Sequence, residues 1–240
     1  MHRVAPHEHE RRSTPPRISI PPRGDHVSVH VGSLELAGEL VSPPSPHGVV
    51  LFAHGSGSSR HSPRNTSVAQ HLVDEAHVAT LLVDLLSAEE EAVDVTTREL
   101  RFDIPLLGKR LVGMIDWLGA DQRTKGLPLG LFGASTGAAA SLFAAASRPD
   151  NVAAIVSRGG RPDLASADVL SRVQAPTLLI VGENDRQVLD LNVRAMRLMH
   201  AECSLEIVPG ASHLFEEPGA LTRVASLASR WFGKFLGGQR

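Results

Sequence analysis

A chain of 240 residues that is 42% hydrophobic and 21% charged has the composition of an ordinary globular protein. Its net charge of −2 provides no overall field to attract nucleic acid or an anionic membrane, and its single cysteine, Cys203, excludes an internal disulfide. No apolar run reaches the roughly 18 residues that span a bilayer, and the N-terminus has no apolar signal core, so we expect a cytoplasmic protein without nucleic-acid or membrane partners.

Residues 1–24 differ in composition from the rest of the chain. They contain five prolines and few apolar residues, too few for hydrophobic burial to offset the entropy lost on ordering. We therefore expect a disordered tail over residues 1–24 and a single domain over residues 25–240. Within that domain, residues 25–31 and 34–41 each alternate apolar and polar side chains, which predicts an antiparallel hairpin at the edge of a sheet.

After the hairpin, strand patterns alternate with helix patterns. Strands are predicted at residues 49–53, 78–83, 127–132, 152–156, 177–181 and 204–208. Helices are predicted at residues 62–76, 97–118, 138–146, 187–199 and 218–236, and the acidic segment 89–94 is predicted to be a solvated connector. This order predicts a doubly wound, mostly parallel sheet with helices on both faces and no large lid domain.

The five residues 133–137, Gly-Ala-Ser-Thr-Gly, match the G-x-S-x-G pattern. An apolar strand precedes them and an alanine-rich helix former follows them, which is the context of a nucleophile elbow. In such a turn the Ser135 hydroxyl is exposed at the C-terminal end of the strand, while Gly133 and Gly137 let strand and helix approach closely. The alternative is a glycine- and serine-rich turn without catalytic meaning, because the bare pattern often occurs by chance.

A serine hydroxyl needs a base to take its proton, and that base is commonly a histidine that a carboxylate orients. In a parallel α/β sheet these side chains belong on loops at the C-terminal ends of strands. Asp185 and His213 each lie a few residues beyond a predicted strand, and the chain order Ser135, Asp185, His213 fits a nucleophile elbow. Weaker alternatives are Glu183 and Asp190 for the acid, and His71, His77 and His200 for the base.

Acyl transfer passes through an oxyanion, which two N–H donors must stabilise. We expect one donor to be the backbone N–H of Thr136, the residue after the nucleophile. The other is expected from the glycine-containing loop at residues 54–57, where the Ser56 N–H is the first choice and the Gly57 N–H the second. His54 is expected to be a structural loop histidine rather than a proton carrier.

Four motifs together resemble the α/β-hydrolase superfamily and, within it, the dienelactone-hydrolase-related group of small hydrolases without a lid. The motifs are His-Gly-Ser-Gly at 54–57, Gly-Ala-Ser-Thr-Gly at 133–137, Gly-Glu-Asn-Asp at 182–185 and Ser-His at 212–213. The resemblance covers about residues 25–236 and implies an α/β-hydrolase fold with a Ser135–Asp185–His213 triad. One departure is clear, because dienelactone hydrolases use a cysteine nucleophile; the serine favours general ester, thioester or lactone hydrolysis.

Arginines near the strand ends are candidates for binding an anionic part of a substrate. Arg158 and Arg161 follow a strand end on the rim of the expected site, and Arg60 and Arg64 follow the oxyanion loop. A guanidinium group can hold a carboxylate or a phosphate through two parallel hydrogen bonds. The alternative is that these side chains are solvated or paired with acids such as Asp163.

These residues predict a serine esterase-type hydrolase that acts on a small-molecule ester, thioester or lactone through an acyl-enzyme on Ser135. No metal or organic cofactor is implied, since the chain contains neither C-x-x-C nor H-E-x-x-H. One alternative is acyl transfer, including perhydrolysis, in which another nucleophile replaces water on the same acyl-enzyme. Another is a non-catalytic binding protein on the same scaffold, and a peptidase is a further, weaker one.

Overall fold

The computed structural model describes residues 24–237, which contain eight β-strands and seven α-helices. The strands are β1 (Asp25–Val31), β2 (Leu34–Val41), β3 (Val49–Ala53), β4 (Ala79–Val83), β5 (Leu129–Ala134), β6 (Val152–Arg158), β7 (Thr177–Gly182) and β8 (Cys203–Val208). The helices are α1 (Pro63–Glu75), α2 (Ala88–Thr97), α3 (Ile104–Ala120), α4 (Thr136–Ser147), α5 (Ala167–Arg172), α6 (Arg186–Met196) and α7 (Ala220–Leu236). Apart from Gly24, the tail predicted for residues 1–24 lies outside the described residues. Within residues 24–237, no helix is both long and apolar enough to cross a membrane.

All eight strands form one sheet in the order β1-β2-β4-β3-β5-β6-β7-β8. β1 and β2 pair antiparallel as the predicted edge hairpin, β2 runs antiparallel to β4, and every other neighbouring pair is parallel. The predicted doubly wound, mostly parallel sheet is therefore confirmed. β4 and β5 lie on opposite sides of β3, so the winding reverses there, and the loops after β3 and β5 meet at the C-terminal edge of the sheet.

Helices cover both faces of the sheet, as predicted. α1 and α7 pack on the face that carries the stacked rings of Phe52 and Phe132, whose centroids are 4.7 Å apart. α3 and α4 pack on the other face, against Leu51 and Leu131. Every residue of β3, β4, β5 and β7 is buried, which explains why these strands have continuous apolar sequences rather than alternating ones.

The prediction of a solvated connector at residues 89–94 is wrong. This segment lies within α2, which begins with a capping box: the Ser87 hydroxyl accepts from the Glu90 N–H, and the Glu90 carboxylate accepts from the Ser87 N–H. Asp94 is fully buried rather than solvated, and accepts hydrogen bonds from the Arg101 backbone and side chain. The Ser-x-x-Glu pattern of a helix start is therefore present in the sequence at residues 87–90. The acidic composition of the segment favoured a solvated connector instead, so the helix was not predicted.

The single helix predicted over residues 97–118 is also wrong, because the chain breaks before α3. Arg98 adopts a left-handed conformation with φ 59°, and α3 starts only at Ile104, capped by the Asp103 side chain. Pro105 explains the late start: a proline has no N–H to donate, and its ring would clash with the carbonyl of residue 101 in a continuous helix.

Candidate active site

The G-x-S-x-G sequence forms a tight strand–turn–helix junction. Ser135 lies between the end of β5 and the start of α4, with φ 50° and ψ −119°. A non-glycine residue at positive φ is strained, and such strain persists only where the surrounding structure imposes it. Here the Ser135 N–H donates to the Arg158 carbonyl oxygen at 3.3 Å, and the Ser135 carbonyl accepts from the Arg161 N–H at 3.1 Å.

Two glycines allow this junction to pack against its neighbours. A Cβ atom on Gly137 would lie 2.2 Å from the carbonyl oxygen of Ala53, and one on Gly133 would lie 2.4 Å from the Ala138 Cα. Both contacts are with backbone atoms, which cannot move aside as a flexible side chain can. The motif glycines therefore permit the close approach of α4 to β3 and β5.

His213 and Asp185 come together at the same edge of the sheet. His213 Nδ1 lies 2.6 Å from Asp185 Oδ2, a short distance for a hydrogen bond between a nitrogen and a carboxylate oxygen. The Asp185 side chain is 14% exposed and the His213 side chain 38% exposed, so the carboxylate is shielded while the imidazole is open to solvent. A carboxylate at Nδ1 favours the tautomer that carries a proton there, which leaves Nε2 available as a base.

Ser135 and His213 both lie against the backbone at the end of β6, at residues 158 and 159. Arg158 accepts the Ser135 N–H, and a Cβ atom on the next residue, Gly159, would lie 3.5 Å from His213 Cε1. Between these two catalytic candidates the structure records no direct hydrogen bond within residues 24–237. Hydrogen bonds of this kind are often long before a substrate binds and shorten in the complex.

The other ionisable side chains considered from the sequence form no comparable pair. Glu183 and Asp190 are exposed, and the Glu183 carboxylate accepts from the Gly210 N–H at 2.7 Å in the turn after β8. The alternative bases lie towards the N-terminal edge of the sheet, away from Ser135: His71, His77 and His200. In the described part of the chain, no group of three His, Cys, Asp or Glu side chains is placed to hold a metal ion.

The loop after β3 lies directly against the elbow. A Cβ atom on Gly55 would lie 3.1 Å from the Ser135 Cβ, and the Ser58 N–H closes a turn on the Gly55 carbonyl at 3.2 Å. No acceptor for the Ser56 N–H is recorded within residues 24–237. Thr136 is the first residue of α4, so its N–H has no acceptor inside the helix. Within residues 24–237, both predicted oxyanion donors are thus N–H groups without a recorded acceptor, one in the residue after Ser135 and the other in the residue after Gly55, which lies against Ser135.

His54 fixes the position of this oxyanion loop. The side chain is 8% exposed, its Nε2 accepts the Leu85 N–H at 3.1 Å, and its Nδ1 lies 3.0 Å from the Gly55 carbonyl oxygen. Because Nε2 accepts, the proton must be on Nδ1 and donated to Gly55. The ring therefore ties the loop after β3 to the loop after β4, and burial lowers its pKa below the ordinary value of 6.5.

The lowered pKa of His54 predicts a loss of stability in mild acid. As the pH falls through about 6.5, the unfolded chain binds a proton at this residue more readily than the folded protein does, because the pKa is lower in the folded state, so the free energy of unfolding falls as the pH falls. His54→Gln keeps an oxygen acceptor for the Leu85 N–H but cannot titrate. We expect urea unfolding at pH 7.5 and 5.5 to show a larger acid-induced loss for the wild type than for His54→Gln; equal losses would contradict this.

A small apolar cleft adjoins the oxyanion loop, and its residues were not predicted from the sequence. Leu85 and Leu86 from the loop after β4, and Leu107 from α3, line it together with Ser56 and Thr136. Its volume is about 10 Å³, roughly the space of one water molecule. Residues 84–86 directly follow β4, so the rule that places active-site residues on loops at the C-terminal ends of parallel strands could have identified them as well.

Three of the four arginines named as candidates for binding an anion, Arg60, Arg161 and Arg158, differ in whether they have an acidic partner. Arg60 is ion-paired with Asp84, and Arg161 is ion-paired with Asp163 at 2.7 Å. Arg158, the last residue of β6, is 8% exposed and has no acidic partner within ionic distance in residues 24–237. The first two guanidinium groups are therefore neutralised inside the protein, whereas the third is not.

Comparison with known proteins places this geometry in a family. Residues 46–226 match the model of a family described as an alpha/beta hydrolase domain. The solved structure of dienelactone hydrolase from Anabaena variabilis ATCC 29413 is 56% identical, with a TM-score of 0.87 over 90% of this chain and 99% of that chain. Est1E from Butyrivibrio proteoclasticus shares the fold at 14% identity, with a TM-score of 0.72 over 87% of this chain and 98% of that chain.

A longer protein also contains a similar segment. In Mycobacterium tuberculosis (strain ATCC 25618 / H37Rv), a protein named "Putative phosphoribosyl transferase" is 55% identical to this chain over 212 residues. The match covers 88% of this chain but 46% of that protein, so the chain spans about half the length of this curated relative. The family match and the elbow between β5 and α4 agree, and the chain belongs to the α/β hydrolase family.

Proposed function

We propose that the protein hydrolyses carboxylic ester, thioester or lactone bonds through an acyl-enzyme on Ser135. The observation that carries this proposal is the His213–Asp185 pair, 2.6 Å apart, beside a serine held at positive φ. A histidine oriented in this way can act as a base at Nε2, and a serine hydroxyl becomes an effective nucleophile when such a base takes its proton.

In the first half of the reaction, His213 Nε2 takes the proton from Ser135 Oγ as the oxygen attacks the substrate carbonyl carbon. The carbonyl oxygen becomes an oxyanion, which the Ser56 and Thr136 N–H groups stabilise. The positive start of α4 adds to this stabilisation. When the tetrahedral intermediate collapses, the bond to the leaving group breaks, His213 returns the proton to that group, and the acyl group stays on Ser135.

In the second half, a water molecule replaces the leaving group. His213 takes a proton from the water as its oxygen attacks the acyl carbon, then returns a proton to Ser135 Oγ as the carboxylic acid leaves. Asp185 remains ionised throughout and stabilises the imidazolium that forms twice in the cycle. The 38% exposure of the His213 side chain supports water as the acceptor, because solvent reaches the base directly.

The name of the longer curated relative describes a different reaction. We do not propose phosphoribosyl transfer for this chain, because the chain matches 46% of that protein and its candidate residues suit attack on an acyl group. Acyl transfer to an alcohol or a peroxide is the second candidate, since it shares the acyl-enzyme and differs only in the nucleophile that attacks it.

The small cleft beside Thr136 predicts a preference for short acyl groups, which Leu86→Ala should relax. Leu86 lines both this cleft and a neighbouring groove of about 920 Å³ between the β1–β2 hairpin and the start of α2. Removing its side chain joins the two spaces. We expect kcat/KM for a hexanoate ester relative to an acetate ester to rise about tenfold, which corresponds to about two newly buried methylenes at about 0.8 kcal/mol each.

The matched control for this experiment is Leu118→Ala. Leu118 is 2% exposed and lies near the far end of α3, so the substitution creates a core cavity away from the cleft. It should lower stability without changing the ratio of the two esters. An unchanged ratio in Leu86→Ala as well would show that this cleft does not hold the acyl group.

The test of the proposed function is a panel of p-nitrophenyl esters of increasing acyl length, thioesters and small lactones, each assayed with and without added methanol. Hydrolysis predicts free acid as the main product in both conditions, whereas an acyltransferase would give mainly methyl ester. If the folded protein cleaves no member of the panel, the proposal fails and a non-catalytic binding role gains support.

A further inference from the structure

Arg158 is a buried cation without an anion. Its residue is 8% exposed, and the buried Nε and Nη1 atoms find no hydrogen-bond partner within residues 24–237. A buried guanidinium group is ordinarily paired, and each buried polar group without a partner calls for a physical explanation. The paired states of Arg60 and Arg161 show that nearby arginines of the same surface do find carboxylates.

A second arginine lies close to Arg158 and makes the charge imbalance larger. Arg158 alternates with Ala154 and Val156 along β6, which places all three on the sheet face that α1 and α7 cover. Arg64 lies in the first turn of α1, near enough for its charge to lower the pKa of Arg158, and its own buried Nε finds no hydrogen-bond partner within residues 24–237. The Arg64 Nη1 atom is 3.4 Å from the exposed Glu216 carboxylate, a long contact for an ion pair.

The charge of the partly exposed Arg64 opposes that of the buried Arg158. Burial first, and the charge of Arg64 second, lower the pKa of Arg158 to about 10. At neutral pH the guanidinium is still protonated, so both side chains are cationic in the folded protein. An anion between or beside them would supply the missing hydrogen-bond acceptors and offset the repulsion.

Arg158 adjoins the catalytic candidates through its backbone. The Arg158 carbonyl oxygen accepts the Ser135 N–H, and the next residue, Gly159, lies against the His213 ring. α1 follows the loop that carries the Ser56 N–H, so Arg64, in its first turn, lies at the same edge of the sheet as Arg158, the last residue of β6. Both residues are therefore at the C-terminal edge of the sheet, where substrates of this architecture bind.

We propose that Arg158 and Arg64 form an anion subsite of the catalytic cleft, so that the natural substrate carries a carboxylate or a phosphate group close to its scissile bond. The predicted effect on ester kinetics rests on the hydrolase function proposed above, whereas the predicted binding of an anion does not. Of the four arginines named from the sequence, the proposal assigns anion binding to Arg158 and Arg64 and excludes Arg60 and Arg161, which are paired with carboxylates.

The first test measures anion binding without catalysis. Ser135→Ala protein is titrated calorimetrically with inorganic phosphate and, separately, with adipate at fixed ionic strength. The subsite predicts saturable binding of at least one anion that weakens about 10- to 100-fold when Arg158→Gln is added, as expected for charge-assisted hydrogen bonds. Which anion binds more tightly identifies phosphate or carboxylate as the group recognised. No binding of either anion, or equal binding with and without Arg158→Gln, overturns the proposal.

Two further variants control this test. Arg148→Gln removes the same charge from an exposed arginine, paired with Asp116 beyond the end of α4, and should leave anion binding unchanged. Arg64→Gln should also weaken anion binding, and it replaces Arg158→Gln in the test if that variant does not fold. The Arg64 side chain is 31% exposed, so its substitution disturbs the folded protein less. If Arg64→Gln and Arg148→Gln bind the anion equally well, the proposal that Arg64 forms part of the subsite is wrong.

The second test compares ester pairs that differ in one charge. In the first pair, monomethyl adipate carries a carboxylate on the acyl side and dimethyl adipate is neutral. In the second pair, 4-acetoxybenzoate carries a carboxylate on the alcohol side and phenyl acetate is neutral. Arg158→Gln should lower kcat/KM for the anionic member about 10- to 100-fold more than for the neutral member of at least one pair, while Arg148→Gln leaves both ratios unchanged. Equal losses in both pairs overturn the subsite. Binding of an anion by a protein that cleaves no ester would instead overturn the hydrolase proposal and leave the anion site standing.

Discussion

Ser135→Ala is expected to lower kcat for ester hydrolysis by about 10⁶-fold, with the protein still folded. Without the hydroxyl there is no acyl-enzyme, and His213 can only assist direct attack by water on a substrate held in the oxyanion loop. The residual rate should stay above that of the uncatalysed reaction, because the Ser56 and Thr136 N–H groups still stabilise the oxyanion. The measurement is steady-state hydrolysis of p-nitrophenyl acetate beside the wild type.

A second substitution separates loss of the nucleophile from general damage. Residues that act as one unit have strongly non-additive effects, so His213→Ala combined with Ser135→Ala should be scarcely slower than Ser135→Ala alone. Independent, multiplied losses in the double variant would show that the two side chains do not act together. Thermal unfolding of each variant serves as the control for folding.

Gly137→Ala is expected to disrupt the elbow itself. The added methyl group would lie 2.2 Å from the Ala53 carbonyl oxygen and 2.5 Å from the His54 carbonyl oxygen, both backbone atoms of the strand and loop that carry the oxyanion site. Relief requires α4 to move away from β3, which displaces the Thr136 N–H from the Ser56 N–H. We expect the free energy of unfolding to fall by about 1–3 kcal/mol or more, and hydrolysis to fall with it.

Gly233→Ala is the matched control for Gly137→Ala. Gly233 lies in α7, and within residues 24–237 no atom outside the backbone of its own helix lies within 4 Å of the place a Cβ would take. There the higher helix propensity of alanine should raise the free energy of unfolding by up to about 1 kcal/mol. Urea unfolding of the two variants beside the wild type should therefore shift in opposite directions. A Gly137→Ala protein as stable and active as the wild type would show that the close approach is not needed.

The catalytic candidates could be named from the sequence because each depends on local signals and one topological rule. An apolar strand, a G-x-S-x-G turn and an alanine-rich helix specify the elbow without knowledge of distant contacts. Asp185 and His213 then follow from the rule that parallel strands bring their C-terminal ends to one edge. The structure places their side chains 2.6 Å apart, which the sequence order alone does not state.

What the sequence did not reveal depends on contacts between distant segments. Nothing near Arg60 or Arg158 shows which of these guanidinium groups has a partner, since Asp84, which pairs with Arg60, lies 24 residues away in the chain. The partner of Arg161, in contrast, is Asp163, two residues away, which the sequence did suggest. Burial likewise decides the role of the acidic segment after β4, because Asp94 is withdrawn from water by Arg101 rather than solvated. Charge counts identify such residues as polar, and only the packing shows which of them are satisfied.

The measurement that tests the central claim most directly is labelling with a fluorophosphonate probe, followed by mass spectrometry of the labelled peptide. The wild-type protein should carry one probe, attached to Ser135, and Ser135→Ala should carry none. His213→Ala should react far more slowly, because the hydroxyl has lost its base. A probe attached to another residue, or an enzyme that hydrolyses esters but never labels at Ser135, would contradict the assignment of Ser135 as the nucleophile.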